Sequence, residues 1–495
     1  MGMRIGGLAS GIDTDSIIKD LMKAERLPLD KMEQDKTKLE WQRDAFRDVN
    51  KKLLELDNMM LDMKLSKTYN SKQVTSSMEG AVTATGTASS TNGTYNINVE
   101  KLASSAINVG GKIKIDSDAK LVGQTMGNTT IAEGQKFSFQ TFNKDGAAET
   151  HEYTISGDDT LKNIIDRVNA DDNNVRITLD NNTNQIIMET TRTGKYNPTP
   201  DGKEIVFNDP FLKEALNIHQ GNETGGENAK FTYNNAYTVE SKDNNYTLNG
   251  VTFQFNDITG DKNATLTVNN DVEASFDNIM AFVDKYNEVI ETLNGSQQEQ
   301  RYRDFPPLTD AQREEMSDNE IELWEEKAKS ALLKGENAIS SGLFDMRQSW
   351  YASVETGGQF TTLTQIGIST SSDYLDGGKL IVKEDELRAA LTEDPESVQK
   401  LFSNSKDDTS RGLVNRLEDA VESTMNRINE RAGKGTDTLE NYTIGKRMKA
   451  LEDQISAFED RITQIEDRYW RQFSAMEQAI SRMNNQSAML MSNFQ

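Results

Sequence analysis

The apolar positions of this chain follow two different periods. From Met32 a seam runs through Leu39, Phe46, Val49, Leu53, Leu56, Met60 and Met63. After Phe46 its steps alternate three and four, the spacing of a helix that lays a narrow apolar stripe on a partner. Before Phe46 the seam carries polar residues, Asp35 and Gln42, so that half of the helix should hold its partner weakly. Pro28 predicts a bend or a restart, because proline costs a helix one backbone hydrogen bond. Further upstream, Ile17, Ile18, Leu21 and Met22 form an apolar cluster too short to bury itself. The tail repeats the pattern: Ile444, Met448, Leu451, Ile455, Phe458, Ile462, Ile465 and Tyr469, then Phe473, Met476, Ile480 and Met483 after a second step of four. That extra step is a stutter, which locally unwinds a left-handed supercoil. Two such seams at opposite ends predict a return pairing of the termini, with everything between them looped out. The plainer alternative is two unrelated helices in separate domains.

The middle has a period of two. Tyr95, Ile97 and Val99 mark one strand face, and Phe137 and Phe139 oppose Tyr153 and Ile155 as a strand pair. Val175, Ile177 and Leu179, an Asn-rich turn, then Ile186 and Met188 read as a hairpin. Asn249-Gly250 between alternating residues signals another. Leu161, Ile164, Ile165 and Val168 have the spacing of a short helix. Helix returns at 274–294, with Phe276, Ile279, Met280, Val283, Tyr286, Ile290 and Leu293 on one face, and again at 409–430, ending at Gly433 and Gly435. Thr309 with Gln312 and Ser317 with Glu320 read as capping boxes, and Asp394-Pro395 as a cap followed by proline at the first helical position. The predicted fold class is therefore multidomain α+β: terminal helices pairing as a coiled-coil leg, a helical limb, and inserted β-rich domains. The expected domains are 1–45 with 446–495 (leg, flexible when free), 46–73 with 274–445 (helical limb), 74–110 with 230–273 (β-rich), and 111–229 (an inserted outer β-rich domain).

Charge sharpens this division. The chain has 495 residues, 35% of them hydrophobic, and a net charge of -25. Residues 1–66 carry -1 and residues 444–495 carry 0, so the remaining -24 lies in residues 67–443. An acidic middle argues against nucleic acid as a partner. Near-neutral ends can approach other copies without strong repulsion. No run of 18 apolar residues occurs, which excludes a membrane-spanning helix. The start lacks a basic region followed by an apolar run, the pattern of a cleaved secretory signal. There is no cysteine, which excludes disulfides, cysteine–zinc sites and thiol catalysis.

Candidate chemistry is sparse. The two histidines, His151 and His219, stand in no metal-binding pattern. No GxSxG, Walker or GxGxxG motif occurs. Acid pairs such as those in 171–174 and 314–315 read as solvated surface, as does the acidic turn at 257–261. No catalytic, cofactor or metal site is expected, and an enzyme such as a glycan hydrolase is the weakest alternative.

Several long motifs in fixed order carry a resemblance. SGIDTDSIIKDLMKAERLPLDKM (10–32), TASSTNGTYNINVEKLA (87–103), FVDKYNEVIETLN (282–294), PLTDAQREEMSDNEIELWEEKAKSALL (307–333), LTQIGIST (363–370), LTEDPESVQKLF (391–402) and RYWRQFSAMEQAISRMNNQSAML (468–490) resemble the flagellar filament cap family, the flagellar hook-associated protein 2 family. The hairpin-rich stretch 137–192 is similar to modules of flagellins and hook-associated proteins; 104–136 and 195–229 have no firm match. The resemblance implies a homo-oligomer of about four to six subunits at the distal tip of a bacterial flagellum. There it would retain exported flagellin and promote its folding and insertion. It further implies export through the flagellum's own type III path to an extracellular site, an export chaperone bound near the C-terminal helix, and no cofactor. Coiled-coil and filament-contact positions are expected at Ile17, Leu21, Met22, Phe46, Leu53, Ile455, Ile462, Tyr469, Phe473, Met476 and Met483. An adhesin, with exposed strand domains binding glycans, and a hook–filament junction protein are the alternatives.

Overall fold

The computed structural model describes residues 13–200 and 202–493. In chain order its helices are α1 (Thr14–Met63), α2 (Leu161–Asn169), α3 (Val272–Gln298), α4 (Asp310–Glu314), α5 (Asp318–Ala328), α6 (Asn337–Gln348), α7 (Glu384–Glu393), α8 (Pro395–Ser403), α9 (Leu413–Ala432) and α10 (Thr443–Asn493). The chain divides into two units: Met1–Tyr69 with Glu273–Gln495, which is helical, and Asn70–Val272, which is mainly strand.

The helical unit is organised by α1. Asp13 caps it, its carboxylate accepting from the Ser16 amide at 3.0 Å. The expected bend or restart at Pro28 does not occur as a break: α1 runs unbroken for 50 residues. Proline removes one N–H and costs about 3 kcal/mol in a helix interior. On either side Ile18, Met22 and Leu29 are buried, each worth about 1.5–3 kcal/mol. Tertiary burial therefore outweighs the lost bond. Beyond residue 45 the three–four seam behaves as its spacing predicts: Phe46, Leu53, Leu56 and Met60 are fully buried on the stretch of α1 that lies against α9, whose Leu413, Leu417, Val421 and Ile428 face inward. Polar pins fix the register. Asn50 Nδ2 donates to Asn429 Oδ1 at 3.1 Å, Arg47 Nη2 to the Lys434 carbonyl at 2.9 Å, and Lys64 pairs with Glu418. Lys52 and Glu55 bridge to Glu288 and Lys285 of α3 at 3.0 and 2.6 Å.

Local signals in the limb form as expected. Thr309 with Gln312 and Ser317 with Glu320 close capping boxes on α4 and α5. Asp394 caps α8 with Pro395 at its first position. Gly433 ends α9 with φ 67° and ψ 165°, a conformation open essentially to glycine alone. The Tyr442 ring lies so close that a β-carbon there would sit 2.4 Å from its Cδ1.

The strand unit holds two cores. The first lies between a five-stranded antiparallel sheet, in the order 72–76, 264–270, 93–101, 229–233, 237–241, and a three-stranded sheet, in the order 245–248, 251–255, 82–86. Tyr95, Ile97, Val99, Phe231, Phe253 and Leu266 fill it. The 248–251 turn has Asn249 at φ 52° and Gly250 at φ 78°, the left-handed pair a two-residue hairpin requires. The second core spans Ile113–Ile218 in sequence. A sheet in the order 223–224, 107–112, 185–190, 175–180, the hairpin 136–142/148–154 and α2 enclose it. Phe137 lies opposite Tyr153, and Leu161, Ile164 and Val168 of α2 point inward.

Candidate functional site: the paired chain ends

The two termini meet as antiparallel helices. Ile18 and Met22 of α1 pack on Ile462 and Ile465 of α10, with Phe458, Tyr469, Trp470 and Phe473 partly buried against them. Further along, Lys36 Nζ bridges to Glu452 Oε1 at 2.9 Å, and Tyr469 donates to Glu25 Oε1 at 2.9 Å. From Glu25 to Lys36 on α1 the partner on α10 moves back from Tyr469 to Glu452, which fixes the direction. The return pairing predicted from the two seams is thus present.

Between the terminal cluster and the Phe46 core the pair is poorly filled. An open cavity of about 430 Å³ is lined by Asp35, Lys38, Leu39, Gln42, Leu451 and Gln454, among others. A second of about 270 Å³ lies beside Glu33, Lys36, Leu308, Asp310 and Ile455. The cause is the break in the seam. Asp35 turns to Lys31, one turn away at 3.1 Å, and leaves its seam position empty. Gln42 gives the tail helix no apolar seam contact; its Nε2 donates instead to the Leu332 carbonyl at 3.0 Å and to Glu336 Oε1 at 2.9 Å, tying α1 to the limb. Leu39, Leu451 and Ile455 are only partly buried.

Electrostatics along this stretch are uneven. The hydrogen bond that Lys36 donates to Glu452 raises the Lys36 pKa. Burial, then the charges of Asp30, Asp310 and Glu459, push Glu33 above the ordinary carboxylate value. Burial, then Arg301, lowers Lys38.

The contact positions expected from sequence fall into three groups. Phe46 and Leu53 are enclosed in the helical unit, and Met22 and Ile462 are covered by the helix pair, so none of these is on offer to another molecule while the pair is closed. That corrects any reading of Phe46 and Leu53 as external contacts: the three–four spacing that singled them out also seats them on α9. Ile455, Tyr469 and Phe473 are half-buried at the seam. Ile17 and Leu21, each 37% exposed, and Met476 and Met483, at 37% and 59%, face solvent. Beyond Phe473, α10 continues to Asn493 with Met489, Leu490 and Met491 exposed as well. Residues 1–12, where the family-like motif begins, lie outside the described residues. Sequence reading missed Leu29, Lys36–Glu452 and Glu25–Tyr469. The signal available for the polar pairs was opposite charge or hydrogen-bonding capacity flanking the two seams.

The two histidines make local contacts. His151 Nε2 lies 2.8 Å from Thr141 Oγ1 and His219 Nε2 3.2 Å from Asn217 Oδ1, each a local strand or loop contact. Among the described residues no three His, Cys, Asp or Glu side chains could hold a metal ion, and no helix is long and apolar enough to cross a membrane.

A helical unit whose two ends pair, with a two-core strand unit inserted in the sequence between them, defines a multidomain α+β protein. Comparison with known proteins then specifies which. Residues 10–106 match the family model "Flagellar hook-associated protein 2 N-terminus" and residues 226–485 match "Flagellar hook-associated protein 2 C-terminus". A flagellar hook-associated protein 2 of Halalkalibacterium halodurans is 39% identical over 99% of this chain and 100% of its own length. One from Thermotoga maritima is 24% identical over 98% and 95%. The fold is similar to that of the flagellar cap protein FliD D1-D2-D3 domains from Escherichia coli, at 18% identity and a TM-score of 0.55, covering 82% of this chain and 99% of that one. The chain belongs to the flagellar hook-associated protein 2 family.

Proposed function

We propose that the protein caps the distal tip of a bacterial flagellar filament, outside the cell, as a homo-oligomer of about four to six subunits. In this reading it retains flagellin delivered through the filament and promotes its folding and insertion. It reaches the tip through the flagellar type III path without a cleaved signal, and an export chaperone engages the C-terminal helix beforehand. The strand unit supplies the plate (74–110 with 230–273) and the outer surface (111–229). The helical limb (46–73 with 274–445) carries the leg (1–45 with 446–495).

One observation carries the proposal: past Phe473, α10 continues with Met476, Met483 and Leu490 at seven-residue spacing on one face and Met489 and Met491 beside them, all exposed. Exposed apolar stripes of this kind mark interaction surfaces, and a helix presenting such a stripe docks in an apolar groove. Together with Ile17 and Leu21, this end would engage filament subunits or neighbouring legs, with the half-buried Tyr469 and Phe473 at its base. The underfilled stretch around Asp35 and Leu39 lets the leg change its closure as successive subunits pass. No catalysis is involved.

The test is a truncation after Gln472. The shortened chain should fold and assemble, because the terminal cluster of Ile18, Met22, Ile462 and Ile465 is intact, but should not support filament elongation in cells lacking the full-length protein. Normal elongation with the truncated chain would refute the assignment of the contact to this end.

A further inference from the structure

The helical unit carries two exposed faces that match each other. On the first, Phe344, Arg347 and Tyr351 stand at helical spacing along α6 and the turn that follows it, and Tyr374 and Leu375 lie beside them. Phe344 is 62% exposed and Tyr374 80%. Arg347 stacks near both tyrosine rings, at 5.9 and 5.8 Å, and donates to the Tyr351 hydroxyl at 3.1 Å. Among the described residues it has no carboxylate partner. Aromatic residues around an arginine form the composition that dominates protein–protein binding energy. The second face is on α5, where Leu323 protrudes between Glu322 and Glu326, all three exposed, and neither carboxylate has a cation partner among the described residues.

We propose that these faces are the two sides of one contact between copies of this chain, with Leu323 of one subunit seated on the Phe344, Tyr351 and Tyr374 rings of the next, and Arg347 between Glu322 and Glu326. The occupant follows from charge. An unpaired arginine framed by apolar rings calls for an apolar knob flanked by acids, and this chain, at net -25, presents one on the same unit. A contact between two different patches of one chain is head-to-tail, the kind that closes rings when the rotation is right. The inference rests on the oligomer reading above and adds which surfaces join.

The full chain and its variants are compared by sedimentation velocity over a concentration series, with circular dichroism confirming the fold. Arg347→Glu alone, and Glu322→Lys with Glu326→Lys, should each weaken self-association about 10- to 100-fold. The three changes combined should restore most of it, since the charges are exchanged rather than lost. Folded single-side variants that assemble like the unaltered chain, or a combined variant no better than either, overturn the proposed contact while leaving the oligomer reading intact. An unaltered chain that stays monomeric at every concentration overturns both.

Discussion

The hydroxyl of Tyr469 donates to Glu25 Oε1 across 2.9 Å, although 444 residues separate them in the chain. Tyr469 itself packs against the Ile18, Met22, Ile462 and Ile465 cluster, and its bond ties the first helix to the last. Everything proposed about the leg depends on that closure being real but modest.

The terminal cluster is small, so its members carry the pairing individually. Ile462→Ala should cost about 2–3 kcal/mol in the local closing equilibrium, and it should leave the Phe46 core untouched. Hydrogen exchange resolved by segment would show faster exchange across 14–30 and 455–473 with 46–63 unchanged.

The gap beside Asp35 predicts a gain. Asp35→Leu places a side chain into an open cavity of about 430 Å³ at a seam position that now turns away. Cavity filling of this type adds about 0.5–2 kcal/mol. Protease resistance of residues 14–45 should rise. If the leg works by loosening, filament elongation should slow in the same variant.

Glu33 should make the pairing pH-dependent. Its pKa lies above the ordinary 4.5 because of burial, with Asp30, Asp310 and Glu459 adding to it and Arg26 opposing. A carboxyl raised on folding is held protonated more tightly by the folded chain. Its contribution therefore favours the closed pair at low pH and is lost as pH climbs from about 4.5 through the raised value. Glu33→Gln should remove that pH dependence and protect the 14–45 segment at neutral pH, as read by limited proteolysis at a series of pH values.

Gly433 fixes the turn from α9 into α10. Gly433→Ala must adopt a backbone conformation open essentially to glycine and bring a β-carbon against Tyr442. A loss of about 2 kcal/mol or more is expected, visible as a lower urea midpoint for the helical unit.

Much of this architecture was legible in the residues, for reasons that differ by element. The Phe46–Met63 seam, the capping boxes at Thr309 and Ser317, and the Asn249-Gly250 hairpin depend on neighbours within a few positions, and such local signals survive in sequence. Pro28 brings no restart because its cost is local, while the burial of Ile18, Met22 and Leu29 that offsets it is supplied by distant packing. The partners Gln42 finds in place of the tail helix, Leu332 and Glu336, were not legible because they are 290 and 294 residues away. At the candidate site, periodicity marked Ile17, Met22, Phe46 and Met483 alike. It could not separate the enclosed from the exposed, because spacing tells which residues share a face and not whether another helix covers it.

The central claim is that this chain caps filaments, and one measurement addresses it directly. Purified full-length protein is added outside cells that lack the gene and leak flagellin monomer, and flagellin in the medium is weighed against flagellin in filaments. The account predicts that filaments grow and leakage falls. Unchanged leakage in the presence of folded, oligomeric protein would contradict it.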